Sequence, residues 1–170
     1  SGALPIHDVS LYGSTEKNQH TLNWKIIADE PVKTVVIEAS DDGNRFGTLT
    51  TAAGTATNFS YHSYKPGPVY YRLKVTSILD QTVYSNTIAL KGTGNIERPF
   101  YVSTLVRDQV TINAARNYQY LLCDMNGRAI SKGTGQAGIN KIGFYDQPDG
   151  MYIIRLFSNN EQQTERIIKQ

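Results

Sequence analysis

Val69-Tyr70-Tyr71-Arg72-Leu73-Lys74-Val75-Thr76 alternates apolar and polar side chains without a break. Successive residues of a strand point to opposite faces, so Val69, Tyr71, Leu73 and Val75 share one face and Tyr70, Arg72, Lys74 and Thr76 the other. Leu22, Trp24 and Ile26 alternate with Asn23 and Lys25 in the same way, and Val35, Ile37 and Ala39 with Val36 and Glu38. No segment holds a sustained helical stripe, and 14 Gly and 6 Pro punctuate the runs. The chain reads as all-β.

Working outward, the pattern predicts strands over 9–12, 21–27, 34–40, 46–50, 59–63, 69–76 and 82–90, with Thr15 to Asn18 a polar loop. Seven strands with turn signals between them suit an immunoglobulin-like sandwich. Asp41-Asp42-Gly43-Asn44 supplies a tight turn with Gly43 at positive φ. Lys65-Pro66-Gly67-Pro68 breaks the chain before the long Val69 strand, because proline there can neither pair nor continue a strand. Gly92-Thr93-Gly94-Asn95 interrupts the pattern, and strands resume over 100–103, 109–113, 118–124, 128–132, 138–144, 151–157 and 165–169. Asn126-Gly127 predicts a type I′ hairpin, with Asp149-Gly150 and Ser158-Asn159-Asn160 as weaker turns. The expected architecture is two tandem immunoglobulin-like β-sandwich domains, 1–92 and 99–170, joined by a linker at 93–98.

A chain of 170 residues with 39% hydrophobic and 19% charged residues builds real cores and is comfortable for two sandwiches. Eleven Tyr stand against five Phe and one Trp, a bias that suits half-buried strands. Net charge is +2, and neither half is basic enough to present a phosphate-binding face, so nucleic acid is excluded as a partner. A single cysteine, Cys123, rules out an intrachain disulfide without excluding export. No apolar run approaches the roughly 18 residues of a membrane span, and no signal peptide is recognisable. The opening Ser1-Gly2 reads as a cloning remnant, so a fragment of a longer precursor is expected.

Catalytic chemistry finds no footing. His7, His20 and His62 share no metal-ligand spacing and read as surface or strand-edge residues. His7 and its neighbour Asp8, near Ser10, point to opposite faces and do not form a hydrolase triad. Cys123 sits in Tyr120-Leu121-Leu122-Cys123 and reads as a small buried hydrophobe. Asp41, Asp42 and Asn44 fall short of a calcium cage and read as a solvated turn. Gly133-Thr134-Gly135 lacks the Lys-Ser/Thr of a phosphate loop and reads as a flexible loop. Neither cofactor nor metal is expected. Binding potential rests on tyrosine: Tyr61 and Tyr64, with Tyr70 and Tyr84, could line a sugar-stacking face. The competing reading makes Tyr71 a tyrosine corner and the others sheet padding.

The first half resembles the fibronectin type III-like domains found beside secretion tails in surface proteins of Bacteroidetes-type bacteria. The resemblance rests on Leu22-Asn23-Trp24, on Ile37-Glu38-Ala39-Ser40-Asp41-Asp42-Gly43-Asn44-Arg45-Phe46, on Val69-Tyr70-Tyr71-Arg72-Leu73-Lys74-Val75, on Asp80, and on Tyr84-Ser85-Asn86. The second half resembles the type A C-terminal sorting domain of the type IX secretion system. Leu121-Leu122-Cys123-Asp124-Met125-Asn126-Gly127-Arg128 matches the family's Asp-x-x-Gly-Arg hairpin. Gly150-Met151-Tyr152-Ile153-Ile154-Arg155-Leu156 matches its Gly-x-Tyr core strand, and Arg166-Ile167-Ile168-Lys169 its basic terminal strand. Family tails usually open with Pro-Asn-Pro, where this chain has Ser103-Thr104-Leu105.

The resemblance implies a non-catalytic spacer followed by a sorting domain, in a protein secreted or attached to the outer membrane after periplasmic transit. It implies recognition by the outer-membrane secretion and tail-processing machinery, with surface lipopolysaccharide or glycans as further partners. Its motif positions are Asp124, Gly127, Arg128, Gly150, Tyr152, Arg166 and Lys169, and processing is expected between Gly92 and Arg98. A carbohydrate- or protein-binding module is the alternative.

Overall fold

The computed structural model describes residues 5–92 and 98–170, and the chain divides into two compact units, Ser1–Asn95 and Ile96–Gln170. The first unit holds β1 (Ile6–Glu16), β2 (Gln19–Ala28), β3 (Val32–Ser40), β4 (Gly47–Ala53), β5 (Asn58–His62), β6 (Val69–Ser77), β7 (Thr82–Tyr84) and β8 (Ile88–Leu90). The second holds β9 (Phe100–Val102), β10 (Leu105–Val106), β11 (Gln109–Ala114), β12 (Tyr118–Asp124), β13 (Ala129–Gly135), β14 (Gly138–Gly143), β15 (Gly150–Ser158) and β16 (Glu161–Lys169). Every described element is a strand, and each unit is an immunoglobulin-like β-sandwich.

In the first unit the sheet β1-β2-β5 faces the sheet β4-β3-β6-β7, with β8 also paired to β6. The alternating runs supply the core between them: Leu22 and Trp24 from one sheet meet Val35, Ile37, Tyr71, Leu73 and Val75 from the other, all buried. Burying such side chains contributes about 1.5–3 kcal/mol each. In the second unit the sheet β10-β16-β15-β12-β13 covers the sheet β14-β11-β9. Leu122, Tyr152, Ile154, Leu156 and Ile167 pack there against Phe100, Val110, Ile112 and Ile142.

Five expectations need correcting. Thr15 and Glu16 are not loop: they pair with His20 and Gln19, so β1 and β2 close on Lys17-Asn18, with Lys17 at φ 54°. The run 82–90 is two strands, because the Ser85 hydroxyl accepts the Leu73 N–H at 2.8 Å in place of a backbone carbonyl and interrupts the ladder. Asn86 then turns to the free edge of β1. Its amide accepts from Leu11 N–H at 2.8 Å and donates to Leu11 C=O at 2.9 Å, while the Gln81 amide oxygen accepts from Ile6 N–H at 2.9 Å. Gly133-Thr134-Gly135 is not a flexible loop but the end of β13, opposite Tyr118, Gln119 and Tyr120.

The turn after β12 is not type I′. Among its residues only Gly127 has positive φ, at 86°, and Gly127 N–H closes on Asp124 C=O at 3.1 Å. Type I′ geometry would need positive φ at Asn126 as well. The expectation also omitted β10, whose two residues run parallel to Ile168 and Lys169. Runs that short carry no periodicity to read.

Candidate functional site

The motif positions of the second unit gather at one end of the five-stranded sheet, where the β12–β13 turn, the start of β15 and the end of β16 meet. Asp124 organises the turn: its carboxylate accepts N–H groups from Asn126 and Arg128, both at 2.9 Å, and pairs with the Arg128 guanidinium at 3.4 Å. Gly127 supplies the left-handed residue that lets the chain return. Gly150, at φ 146°, opens β15 and faces Lys169 across the ladder.

Tyr152 is buried, sits edge-on to Phe144 at 5.4 Å, and donates its hydroxyl to Pro148 C=O. A tyrosine whose hydroxyl bonds a backbone carbonyl a few residues upstream is the tyrosine-corner arrangement. It occurs here and not at Tyr71. Lys169 is also buried. Its ammonium lies 5.7 Å from the centre of the Phe144 ring and reaches Asp149 at 3.5 Å. Arg128 and Arg166 project into solvent. The seven positions thus divide into those that shape the corner (Asp124, Gly127, Gly150, Tyr152, Lys169) and two exposed guanidinium groups, of which Arg128 also pairs with Asp124.

Cys123 is half-buried on the outer face of β12, not sealed in the core as its run suggested. Leu122 holds the inward position, and alternation sends Cys123 the other way. The tyrosines flanking it behave differently. Tyr118 is buried with no hydrogen-bond partner for its hydroxyl among the described residues, and burial pushes its pKa up to about 12. A Cβ on Gly135 would stand 2.1 Å from the Tyr118 ring, and one on Gly133 would stand 3.1 Å from the Tyr120 hydroxyl. Both glycines are therefore strand residues over which tyrosine rings lie.

In the first unit the buried polar feature is a relay the sequence did not announce. His20 is wholly buried, which corrects the surface assignment. Its Nε2 lies 2.8 Å from Lys91 C=O, which can only accept, so the proton sits on Nε2 and Nδ1 accepts from the Tyr71 hydroxyl at 2.6 Å. Tyr71 in turn accepts from the Tyr61 hydroxyl at 2.6 Å. Burial lowers the His20 pKa and raises those of Tyr61 and Tyr71. The relay is held neutral and ties Lys91 to the core.

That relay removes Tyr61 from any sugar platform. Its ring stacks on Phe59 at 5.6 Å and packs toward the core, whereas Tyr70 and Tyr84 belong to the other sheet. The Arg72 guanidinium lies 4.2 Å from the Phe46 ring and 4.5 Å from the Tyr84 ring, and pairs with Glu38 at 2.7 Å. Tyr64 is half-buried. The four rings do not share a face.

His7 pairs with Asp29 at 2.7 Å while Asp8 accepts from Ser10 at 2.8 Å, so the histidine is engaged away from the other two. His62 is half-buried at the end of β5. In the Ser40–Arg45 turn the Asp42 carboxylate accepts N–H groups from Asn44 and Arg45, each at 2.8 Å. These bonds hold its pKa below the usual carboxylate range, with the Ser40 hydroxyl helping. No cluster of three or more potential metal ligands exists among the described residues, and no described helix is long and apolar enough to cross a membrane.

The expected linker and processing stretch falls largely on 93–97, outside the described residues. Its flanks are anchored. Lys91 is tied to His20, a Cβ on Gly92 would stand 2.2 Å from Pro66 C=O, and Arg98 pairs with Glu165 at 2.9 Å.

No curated protein sequence matches the chain. Solved structures similar in shape include a human fibronectin type III domain, the sixth of fibronectin type III domain containing protein 3. It is 12% identical, with 58% of this chain and 96% of that domain covered and a TM-score of 0.47. Pectate lyase PelI from Erwinia chrysanthemi is 15% identical at a TM-score of 0.44, over 49% of this chain and 27% of the lyase. Dimeric latent PorU from Porphyromonas gingivalis is 13% identical at a TM-score of 0.40, over 98% of this chain and 20% of PorU. The chain thus spans about a quarter of the lyase's length, and likenesses this distant carry no functional argument.

The sequence match is of another kind. The profile described as "Secretion system C-terminal sorting domain" aligns with residues 106–170, which run from the second residue of β10 through β16. It takes in the turn, the tyrosine corner and the basic terminal strand. Such a domain marks a protein for export, to the medium or the cell surface. Residues 106–170 thus match the type IX secretion system C-terminal sorting domain.

Proposed function

We propose that the chain is a non-catalytic targeting piece: a fibronectin-like spacer followed by an export signal read at the outer membrane as a folded sandwich. The carrying observation is that the motif residues of the second unit converge on one rigid corner. Of these residues, Arg128 and Arg166 are the ones that carry an exposed charged side chain. A fixed corner presents the same contour to a receptor each time, at little entropic cost on binding.

The spacer would hold this corner clear of whatever protein precedes it. After passage the tail would be removed by cleavage within or beside 93–97, releasing the product or joining it to surface lipopolysaccharide. The glycan-binding alternative loses ground, because Tyr61 is already engaged with Tyr71 and Phe59.

The test is a reporter fused ahead of the 170-residue chain in a bacterium possessing the type IX route. The reporter should appear outside the cell with residues 96–170 present and stay inside without them. Equal export of the shortened chain would end the reading.

A further inference from the structure

A sandwich needs one apolar face per sheet, and the other normally carries polar side chains. The five-stranded sheet of the second unit breaks this rule. Leu121-Leu122-Cys123, Met151-Tyr152-Ile153-Ile154 and Ile167-Ile168 are continuous apolar runs, the pattern of strands covered on both faces. Leu122, Tyr152, Ile154 and Ile167 fill the inner face. Their neighbours face outward: Met151 and Ile168 are exposed, and Leu121, Cys123 and Ile153 half-buried.

Register shows how they line up. Leu105 stands beside Ile168 and Ile168 opposite Met151. These three are 61%, 44% and 38% exposed and form an apolar row about 10 Å long across three strands. Arg166 opposes Ile153 in the next row, and Arg155 sits between Leu121 and Thr164 in the row after, where Leu121 also meets Lys132. Arg155, Arg166 and Lys132 are exposed. Among the described residues none of them is ion-paired, and the outward positions of β10, β12, β13, β15 and β16 hold no carboxylate.

We propose that this outer sheet face is a docking surface for an acidic protein of the export machinery. The partner's apolar side chains would cover the Leu105–Ile168–Met151 row, and its carboxylates would meet Arg155, Arg166 and Lys132. The inference rests on the export-signal reading above and names the face and partner chemistry for it. Interleaving of cations with apolar side chains selects a protein over a lipid surface. A membrane-binding face segregates its apolar stripe from its charges, whereas here Arg155 lies inside the apolar field.

The test uses the full chain behind a reporter in the type IX host. One double variant is Lys132→Glu with Arg155→Glu, neither a sorting-motif position, and the other is Leu105→Gln with Met151→Gln. Lys141→Glu, on β14 of the opposite sheet, is the control. Both double variants should lower export roughly ten-fold with melting temperatures unchanged, while the control exports normally. If the Gln pair melts early, the surface charge pair alone decides.

Export of both double variants within about two-fold of the parent overturns the docking face and leaves the sorting reading standing. Failure of the parent chain itself to be exported sinks the sorting reading, and the face with it. Co-sedimentation of the purified chain with phosphatidylglycerol vesicles at physiological salt, lost in the charge pair, would assign the face to lipid and overturn the protein partner.

Discussion

Replacing Tyr71 by Phe tests whether the buried relay of the first unit is a structural tie. The ring volume is nearly conserved, so no cavity forms and the core around Leu73 and Ile37 stays packed. What disappears is a hydroxyl that joins Tyr61 and His20, each at 2.6 Å. Two hydrogen bonds contribute about 1 kcal/mol each, and the Nδ1 acceptor of a wholly buried His20 is left with no donor, which costs about 1–3 kcal/mol. Tyr61 is only partly buried and can turn its hydroxyl to water, which recovers part of this. The net loss should be about 2–3 kcal/mol.

Trp24, the single tryptophan, is buried in this unit with its indole N–H donated to Ala56 C=O at 2.8 Å, so its fluorescence follows this unit alone. With a urea m-value of about 1–2 kcal/mol per M, the midpoint should fall by about 1–3 M. A shift worth less than about 0.5 kcal/mol would refute the relay as a stabilising element.

The same side chain sets a pH dependence. Burial lowers the folded-state pKa of His20 below its ordinary 6.5, so the unfolded chain takes up the proton first. The stability is fully present above about pH 6.5 and is lost as pH falls toward the lowered folded value, by up to about 1.4 kcal/mol per pH unit. His20→Gln should flatten that slope between pH 6.5 and 5. An unchanged slope would show that another group titrates there.

Gly135→Ala should destabilise the second unit by about 1–3 kcal/mol, because its methyl would enter the Tyr118 ring. Calorimetry on the full chain reads this, and a neutral result would mean that Tyr118 moves freely. Tyr118→Phe should be neutral to stabilising, by about 1 kcal/mol, since it removes a buried hydroxyl without a partner; a clear loss would point to a bound water. Asp124→Ala should cost about 1–2 kcal/mol by leaving two turn N–H groups without their acceptor. Faster amide exchange at Asn126 and Arg128 should accompany it, and unchanged protection there would count against the carboxylate's role.

The long alternating strands were legible because each buries one face. Val69–Ser77 and Tyr118–Asp124 differ from their expected bounds by one residue or none. What escaped reading depends on partners far away in sequence. Gly133 and Gly135 look like loop residues until Tyr120 and Tyr118 are seen lying on them. Ser85 looks like any strand serine until Leu73 donates to its hydroxyl. His20 looked superficial because histidine usually is. Its burial requires Tyr71 and Lys91, which are 51 and 71 residues away. The Asp-x-x-Gly-Arg turn was visible as a motif, but its type was not. Asn-Gly favours type I′ in isolation, while the Asp124 carboxylate, anchoring the N–H groups of Asn126 and Arg128, selects the alternative.

The Gln81 and Asn86 amides along β1 have a consequence for how copies of this protein behave when crowded. An open strand edge is a template for any passing chain with spare N–H and C=O groups. Here side-chain amides occupy that edge at Ile6 and Leu11, offering the donor and acceptor of a missing neighbour without its backbone. An incoming strand would first have to displace them. Self-association along this edge is thereby disfavoured, which lets the sandwich sit at high local density on a cell surface without zipping into fibres.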